Sequence, residues 1–522
     1  MNGAESLIRG LVGAGVNVCF TNPGTSEMHM VQAIDGIADM RAILCLFEGV
    51  CTGAADGYAR MKDSPACTLL HLGAGLGNGI ANLHNARRAG SPLVNLIGDH
   101  AGYHSHYDAP LTADIGAIAQ GVSAWIRSAR TSEGLGQDAR DAVQAALAAL
   151  PEGEGNVATL IIPADCAWGN GHGQSGTRLQ RIRNEVTNDG VIDAVDALGS
   201  GGEKVVLYLD GNALTAEGVQ QAGRIASKTG CRVMSTTFPA RVESGPGLFA
   251  VEQLPYFPEE VSAALAGSEA LVLAGASAPV SFFAYPDAAS DLTPPGCQTV
   301  RLGHRNQNVA TGLKRVADAL DAPEFPDTVP HGNRPGLPEG ELTTLGIAES
   351  LAALAPENCI VSTDSGGGRA AYATLQRAVR HSWLNITGGS IGQGGPVAVG
   401  AAVACPERQV FALLGDGGAG YTLQYLWTAA REKLNIVTVI YANRVYNILE
   451  VEYRRLGVNS IGDKAASLFD ISNPDIDWVS LAKGYGVPGR RATTADEFTL
   501  ALEEGIRTDG PYLIEAVVTG RA

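Results

Sequence analysis

The chain has 522 residues, 45% hydrophobic and 17% charged, a globular composition long enough for about three domains. Its formal charge of −17 excludes nucleic acid and anionic membrane surfaces as partners, because both call for a basic face, and no apolar run approaches the ~18 residues of a membrane span. Met1 to Ser6 lacks the features of a secretion signal, and nine cysteines scattered from Cys19 to Cys405 without a Cys-x-x-Cys pair support neither disulfides nor zinc, so a reducing cytoplasm is expected.

Two stretches interrupt an α/β rhythm: 168–185, rich in Gly, Gln and Arg, and 323–341, which carries five prolines. Read as linkers, they divide the chain into domains at 1–170, 186–325 and 342–522. The middle segment alternates apolar strands with a helix near Gly218 to Thr229: Val205 to Gly211, Arg232 to Met234, Ala270 to Gly275, and Gln298 to Leu302. This is a Rossmann-like pattern without the Gly-x-Gly-x-x-Gly fingerprint for a pyrophosphate, so FAD is not expected there.

In the last domain Asp364-Ser365-Gly366-Gly367-Gly368 follows the strand Cys359 to Ser362. Further on, Val410 to Leu414 reads as a buried strand and ends at Gly415-Asp416-Gly417-Gly418. A helix follows from Leu423 to Arg431, then a second strand from Ile436 to Tyr441 that ends at Asn443. In such a β-α-β unit both loops open at the carboxyl ends of parallel strands, where ligands of open α/β sheets bind. Asp416 and Asn443 therefore point at one spot. A carboxylate and an amide oxygen are hard ligands suited to Mg²⁺, which takes its other oxygens from water and phosphate, and Gly417 and Gly418 leave N–H groups open to phosphate oxygens. Taken alone, Gly-Asp-Gly is an ordinary turn; Asn443, 27 residues after Asp416, makes it a candidate site.

The spacing of Gly415-Asp416-Gly417 and Asn443 resembles the diphosphate motif of thiamine-diphosphate (ThDP) enzymes, and the surrounding block through Leu449 is especially similar to benzoylformate decarboxylase and the acetolactate synthase group. Where the family has two Asn in a row, this chain has Ala442-Asn443. The resemblance extends to Asn22-Pro23-Gly24-Thr25-Ser26-Glu27, to Phe47-Glu48 through Arg60, to a glycine-rich turn at Leu70 to Gly79, and to a helix at Ala482 to Val487. It implies three doubly wound α/β domains: pyrimidine-binding, central Rossmann-like and diphosphate-binding.

It also implies roles. Asp416, Asn443 and the carbonyl of Val445 would hold Mg²⁺; Ser365, Gly366, Gly415, Gly417 and Gly418 would cradle the diphosphate. Ile391 would wedge the cofactor into its bent form, and the Gly389 carbonyl would meet its amino group. Glu48 would relay a proton to the aminopyrimidine. His71 and Thr25 fall where benzoylformate decarboxylase has substrate-contacting residues. The matching histidine of the middle domain is replaced by Phe282-Phe283-Ala284-Tyr285, while His104, in a loop with His100 and His106, is a further candidate proton donor. Their spacing in a glycine-containing loop gives no firm zinc geometry. Glu450, Glu452, Arg454 and Arg455 are compatible with a polar acceptor or with a solvated helix.

The expected activity is a lyase or carboligase acting on a 2-oxo acid: non-oxidative decarboxylation, with an aldehyde or ketone as acceptor if carboligation follows. The alternatives are an acetolactate synthase-type transferase using pyruvate, and a ThDP-fold binding protein without turnover. In this family Glu48 and the diphosphate site come from different subunits, which implies a homodimer or homotetramer.

Overall fold

The computed structural model describes all residues except 151–154, 174–175, 287, 327–330, 459 and 519–522. Parts of both expected linkers, 174–175 and 327–330, thus lie outside the described residues.

The N-terminal strands are β1 (Val18–Asn22), β2 (Arg41–Leu44), β3 (Ala66–His71), β4 (Leu93–Asp99), β5 (Trp125–Ser128) and β6 (Val157–Pro163). They form an all-parallel sheet in the order β2-β1-β3-β4-β6-β5. The central part adds β7 (Asn184–Glu185), β8 (Val205–Leu209), β9 (Arg232–Ser235), β10 (Val242–Ser244), β11 (Glu252–Gln253), β12 (Ala270–Ala274), β13 (Gln298–Gly303) and β14 (Gln307–Asn308). Five of these make a second parallel sheet, β11-β9-β8-β12-β13, while β7 and β14 pair with each other. The last part supplies β15 (Cys359–Thr363), β16 (His381–Leu384), β17 (Val410–Gly415), β18 (Ile436–Ala442), β19 (Gly489–Ala492) and β20 (Tyr512–Val517). Its sheet runs β10-β16-β15-β17-β18-β20-β19, with β10 lent antiparallel by the central part.

Strands such as β18, Ile-Val-Thr-Val-Ile-Tyr-Ala, are buried along their whole length. That is why they read as unbroken apolar runs: parallel sheets are covered on both faces by their crossover helices. Among the described residues no helix is long and apolar enough to cross a membrane.

The glycine-rich stretch expected to be a turn is helical. His71 ends β3 and the helix Leu72–Ala89 starts at once, with Leu72 at φ +46°. Its glycines serve approach rather than bending, since a Cβ on Gly79 would press Thr52 at 2.9 Å and one on Gly73 would press Ala113 at 2.5 Å. Packing here overrides the poor helix propensity of glycine. The Gly-Asp-Gly turn is likewise a short helix, Asp416–Ala419.

One core joins the two ends of the chain. The helix Glu48–Lys62 of the N-terminal part lies against Gly394–Ala404, every residue of which is buried. A helix apolar on all sides belongs between other layers. The two backbones touch: a Cβ on Gly57 would run into the carbonyl of Val397, and one on Gly400 into the carbonyl of Ala54. Gly400→Ala should therefore lower stability by about 3 kcal/mol, the upper range for overpacking because backbone cannot rotate out of the way. A urea titration in which the midpoint falls at unchanged slope checks this, and an unchanged midpoint would contradict the close contact.

Candidate active site

Four adjacent strands of the last sheet, β16, β15, β17 and β18, end on the same edge and carry ten of the residues singled out from sequence. The loop after β16 holds Gly389, exposed at φ +79°, and half-buried Ile391. Gly392, at φ +88°, then turns the chain into the helix Gly394–Ala404. This turn is held by Asp364, just after β15, whose Oδ2 accepts from the N–H of Gly392 (2.9 Å) and of Gly394 (3.1 Å). Its Oδ1 is buried without a hydrogen-bond partner among the described residues, and burial pushes the carboxyl up to about 6. Next to it, Ser365 Oγ accepts from Gly367 N–H at 3.2 Å, and Gly366 faces open space.

After β17, Asp416 is 4% exposed at the start of its short helix. Its Oδ1 accepts from Gly417 N–H (2.9 Å) and its Oδ2 from Arg444 N–H (2.6 Å), which ties this loop to the one after β18. Burial raises its pKa despite these bonds. Arg444 sits at φ +61°, and Asn443 Oδ1 accepts from Val445 N–H at 3.2 Å. The Val445 carbonyl accepts from Asn447 N–H at 2.9 Å and keeps its second lone pair. Among the described residues no three His, Cys, Asp or Glu gather as a metal site. One buried carboxylate with an amide and a carbonyl oxygen fits a Mg²⁺ that completes its shell from phosphate and water; the Gly417 N–H, expected to be open to phosphate, is instead taken by Asp416, and the residue packs on the Tyr446 ring.

The N-terminal sheet presents its own carboxyl edge. Glu48, 7% exposed, opens the helix Glu48–Lys62, and its Oε2 accepts from Asn78 Nδ2 at 2.9 Å. His71 Nδ1 lies 2.8 Å from Glu27 Oε2 and 3.1 Å from Ser26 Oγ. Glu27 is fully buried and also accepts from Ser26 Oγ (2.6 Å) and Gly24 N–H (2.7 Å). Gly24 lies flat against the imidazole, where any Cβ would collide with the ring. With Nδ1–H donating to Glu27, Nε2 is the ring nitrogen that Glu27 does not engage. Thr25 is exposed in the same turn, Thr25–Glu27. His104 is on the loop after β4, its ring 5.5 Å from that of His100 and 5.6 Å from that of Tyr107, and β4 neighbours β3 in the register His71↔Gly98. Sequence reasoning missed Glu27, Ser26 and Asn78, the groups that orient His71 and Glu48. Their one local signal was Glu27 three residues after Gly24, the spacing of a capping box.

Family models agree with this layout. The thiamine pyrophosphate enzyme N-terminal domain matches residues 1–120, and the C-terminal TPP-binding domain matches 366–516. A Mycobacterium tuberculosis protein named "Putative acetolactate synthase large subunit IlvX" is 48% identical over 99% of both chains. The chain belongs to the thiamine pyrophosphate enzyme family. Benzoylformate decarboxylase of Pseudomonas aeruginosa is 28% identical over 96% of each chain. In fold, the chain matches the ThDP-dependent 4-hydroxybenzoylformate decarboxylase of Rhodococcus jostii RHA1 with a TM-score of 0.87, 24% identity and full coverage of both chains. Benzoylformate decarboxylase from Polynucleobacter necessarius matches at 0.82 and 21%, over 99% of this chain and 98% of that one. The protein is thus a ThDP enzyme of the decarboxylase and carboligase class, and its two matched domains are those that bind the cofactor.

In this ThDP enzyme the central domain reaches the Gly389 loop with aromatic rings. A Cβ on Gly389 would lie 2.7 Å from the Phe282 ring, which packs 6.0 Å from Phe238 and 5.2 Å from Tyr256 between centroids. The charged helix Asn447–Arg455 is neither free for an acceptor nor simply solvated. Glu450 is buried, Glu452 accepts from Tyr285 at 2.9 Å, and Arg455 pairs with Glu259 while lying 4.6 Å over the rings of both Phe257 and Tyr285. Long-range pairing with the central domain explains Glu452 and Arg455, which local sequence could not show, whereas Arg454 pairs with Glu450 one turn away on the same helix.

The Asp364 carboxyl holds its proton more tightly folded than unfolded, where its value is 3.8. Its contribution to stability is therefore full below that value and lost as pH rises through about 6. Asp364→Asn keeps an oxygen for Gly392 and Gly394 and cannot ionise. The melting temperature of the ligand-free variant should gain on the native chain between pH 4 and about 6.5; a constant difference across that range would refute the assignment.

Proposed function

We propose that this enzyme uses Mg²⁺ and ThDP to decarboxylate a 2-oxo acid without oxidation, releasing an aldehyde or passing the acyl unit to an aldehyde or ketone acceptor. The observation that carries the reading is the convergence of Asp416, Asn443, Val445 and the glycine loops on one edge of four parallel strands. Bound ThDP would supply a carbon nucleophile and an electron sink for the carboxylate's bonding pair.

The chain's residues would do the rest. Asp416, Asn443 and the Val445 carbonyl would hold the metal, while Gly415, Gly417, Gly418, Ser365 and Gly366 accommodate the diphosphate. Gly389 and Ile391 would fix the pyrimidine end. Asn78 holds one oxygen of Glu48, so the other is the one that moves a proton at the pyrimidine. Glu48 would serve the cradle of a second copy, making a homodimer the smallest competent unit and a homotetramer a pair of these. His71, oriented by Glu27, would exchange a proton at the substrate through Nε2, with Thr25 beside it and His104 on the neighbouring loop as a second donor. The −17 charge and cysteine pattern suit a cytoplasmic enzyme.

Glu48→Gln should lower kcat by about 10²- to 10⁴-fold and suppress H/D exchange at C2 of bound ThDP, with ThDP affinity little changed. Normal exchange in that variant would sink the proton relay. The Phe282 ring next to Gly389, with Phe238 and Tyr256 packed on it, favours an aromatic or bulky apolar acyl group over pyruvate. NMR of a 2-oxo acid panel should show aldehyde from benzoylformate-like substrates, and Phe282→Ala should raise KM for them by roughly tenfold. Acetolactate from pyruvate as the dominant product would instead select the synthase reading, and failure to turn over any 2-oxo acid with cofactor bound would favour a binding protein.

A further inference from the structure

A buried ion pair outside the chemical site ties all three parts of the chain to the loop that carries Gly389 and Ile391. Asp56 is fully buried and the Arg60 side chain is 2% exposed. They lie one turn apart on the helix Glu48–Lys62. Arg60 uses its whole guanidinium. Nε and Nη2 donate to the two oxygens of Asp56 (2.8 and 2.6 Å), and Nη1 donates to the carbonyls of Asn385 (2.6 Å) and Ala240 (3.2 Å). Nη2 also donates to Thr387 Oγ1 at 3.0 Å. Asp56 in turn accepts from Gln393 Nε2 at 2.7 Å, and the Gln393 amide oxygen accepts from Thr387 N–H at 3.2 Å. Thr387 Oγ1 then donates to the Asn85 carbonyl (2.7 Å), and Asn85 Nδ2 donates to the Ser390 carbonyl (2.9 Å).

Loop 385–393 is thus gripped at its start by Arg60, in its middle by Asn85 and at its end by Asp56, while Asp364 holds Gly392 and Gly394 from the opposite side. Gly389 and Ile391 lie between these grips. A buried ion pair adds little net stability over an apolar packing of the same volume, because desolvation offsets the attraction. Its return is geometry: five fixed N–H donors on a rigid plane define where three backbone segments stand, which a lysine cannot do.

We propose that Asp56 and Arg60 are a positioning pair for the cofactor, holding loop 385–393 so that the Gly389 carbonyl and the Ile391 side chain are preset for the pyrimidine end of ThDP. This rests on the ThDP reading of that loop. Loosening the pair enlarges the motion of the loop before binding, so affinity for the cofactor falls and catalytic geometry degrades even when every diphosphate ligand is intact.

The test uses the full-length protein with Mg²⁺ and ThDP as the probe. Arg60→Lys keeps the charge and removes the planar donors; Thr387→Val keeps the shape and removes the hydroxyl that links Arg60 to Asn85. ThDP affinity is measured by titration calorimetry, and amide exchange of loop 385–393 in the ligand-free protein by mass spectrometry. The expected result is a dissociation constant raised about tenfold for Arg60→Lys and severalfold for Thr387→Val, with faster loop exchange in both. Should Arg60→Lys not fold, Thr387→Val decides alone. Variants that melt earlier but bind ThDP like the native chain, with unchanged loop exchange, would overturn the proposal and leave the pair a structural rivet. Native protein that does not bind ThDP would instead overturn the reading of the loop itself, a result distinguishable from the first because it appears without any substitution.

Discussion

The contact of two helix backbones, Glu48–Lys62 on Gly394–Ala404, is the constraint from which the rest of the site follows. Gly57 and Gly400 let carbonyl oxygens of each helix sit where a side chain would otherwise stand. The second helix begins at Gly394, whose N–H is bonded to Asp364, and the preceding loop carries Gly389 and Ile391. Sliding one helix along the other would drag that loop away from the strand ends β15, β17 and β18 that hold the remaining site residues. Interhelical distance is therefore a functional coordinate, and small residues fix it more sharply than interdigitated large ones, because backbone has no rotamers to adjust.

The buried carboxylates divide by how they are satisfied. Asp56 is met by a guanidinium, a serine hydroxyl and an amide, so its charge is neutralised in place. Asp416 and Asp364 receive backbone N–H groups, and burial raises the pKa of both. Backbone dipoles orient a carboxylate without cancelling its charge. This is the condition in which a divalent cation gains most from binding, and placing it at Asp416 would turn an electrostatic cost of the ligand-free chain into affinity. The structural acid and the site acids thus differ in their partners rather than in their residue type.

Local pattern made the strands legible. Apolar runs such as Val410 to Leu414 and Ile436 to Tyr441 emerged as β17 and β18 to within a residue, because both faces of the sheet are covered. The closeness of the Asp416 and Asn443 loops was readable for the same reason: once two parallel strands are known, the loops after them must be neighbours. What stayed hidden was set by long-range packing. His71 finds Glu27 across 44 residues, and Arg60 finds Thr387 across 327. The glycines at 73, 75 and 79 carried a turn-like signal locally, yet their use is to let a helix approach Ala113, Glu48 and Thr52. The charges at 450–455 were ambiguous in isolation because their partners, Glu259 and Tyr285, lie in another domain.

The two large parallel sheets at the chain's ends obey the same rule with different outcomes. Each gathers candidate site residues at the carboxyl ends of its strands, where open α/β sheets bind ligands. The last sheet assembles Asp416, Asn443 and the Val445 carbonyl beside glycine loops, groups that would hold an anion and its metal under the proposed function. The first assembles Glu48 with Asn78 and His71 with Glu27, polar pairs in which one member is oriented by the other. Under that proposal, cofactor binding and proton transfer would be anchored on separate domains. A reaction of the proposed kind could be tuned on either side without rebuilding the other, and the third domain, which brings the Phe282 ring against Gly389, would bear on substrate choice. Proton delivery would on that reading come from the N-terminal edge, where His71 is the imidazole with a buried carboxylate behind it.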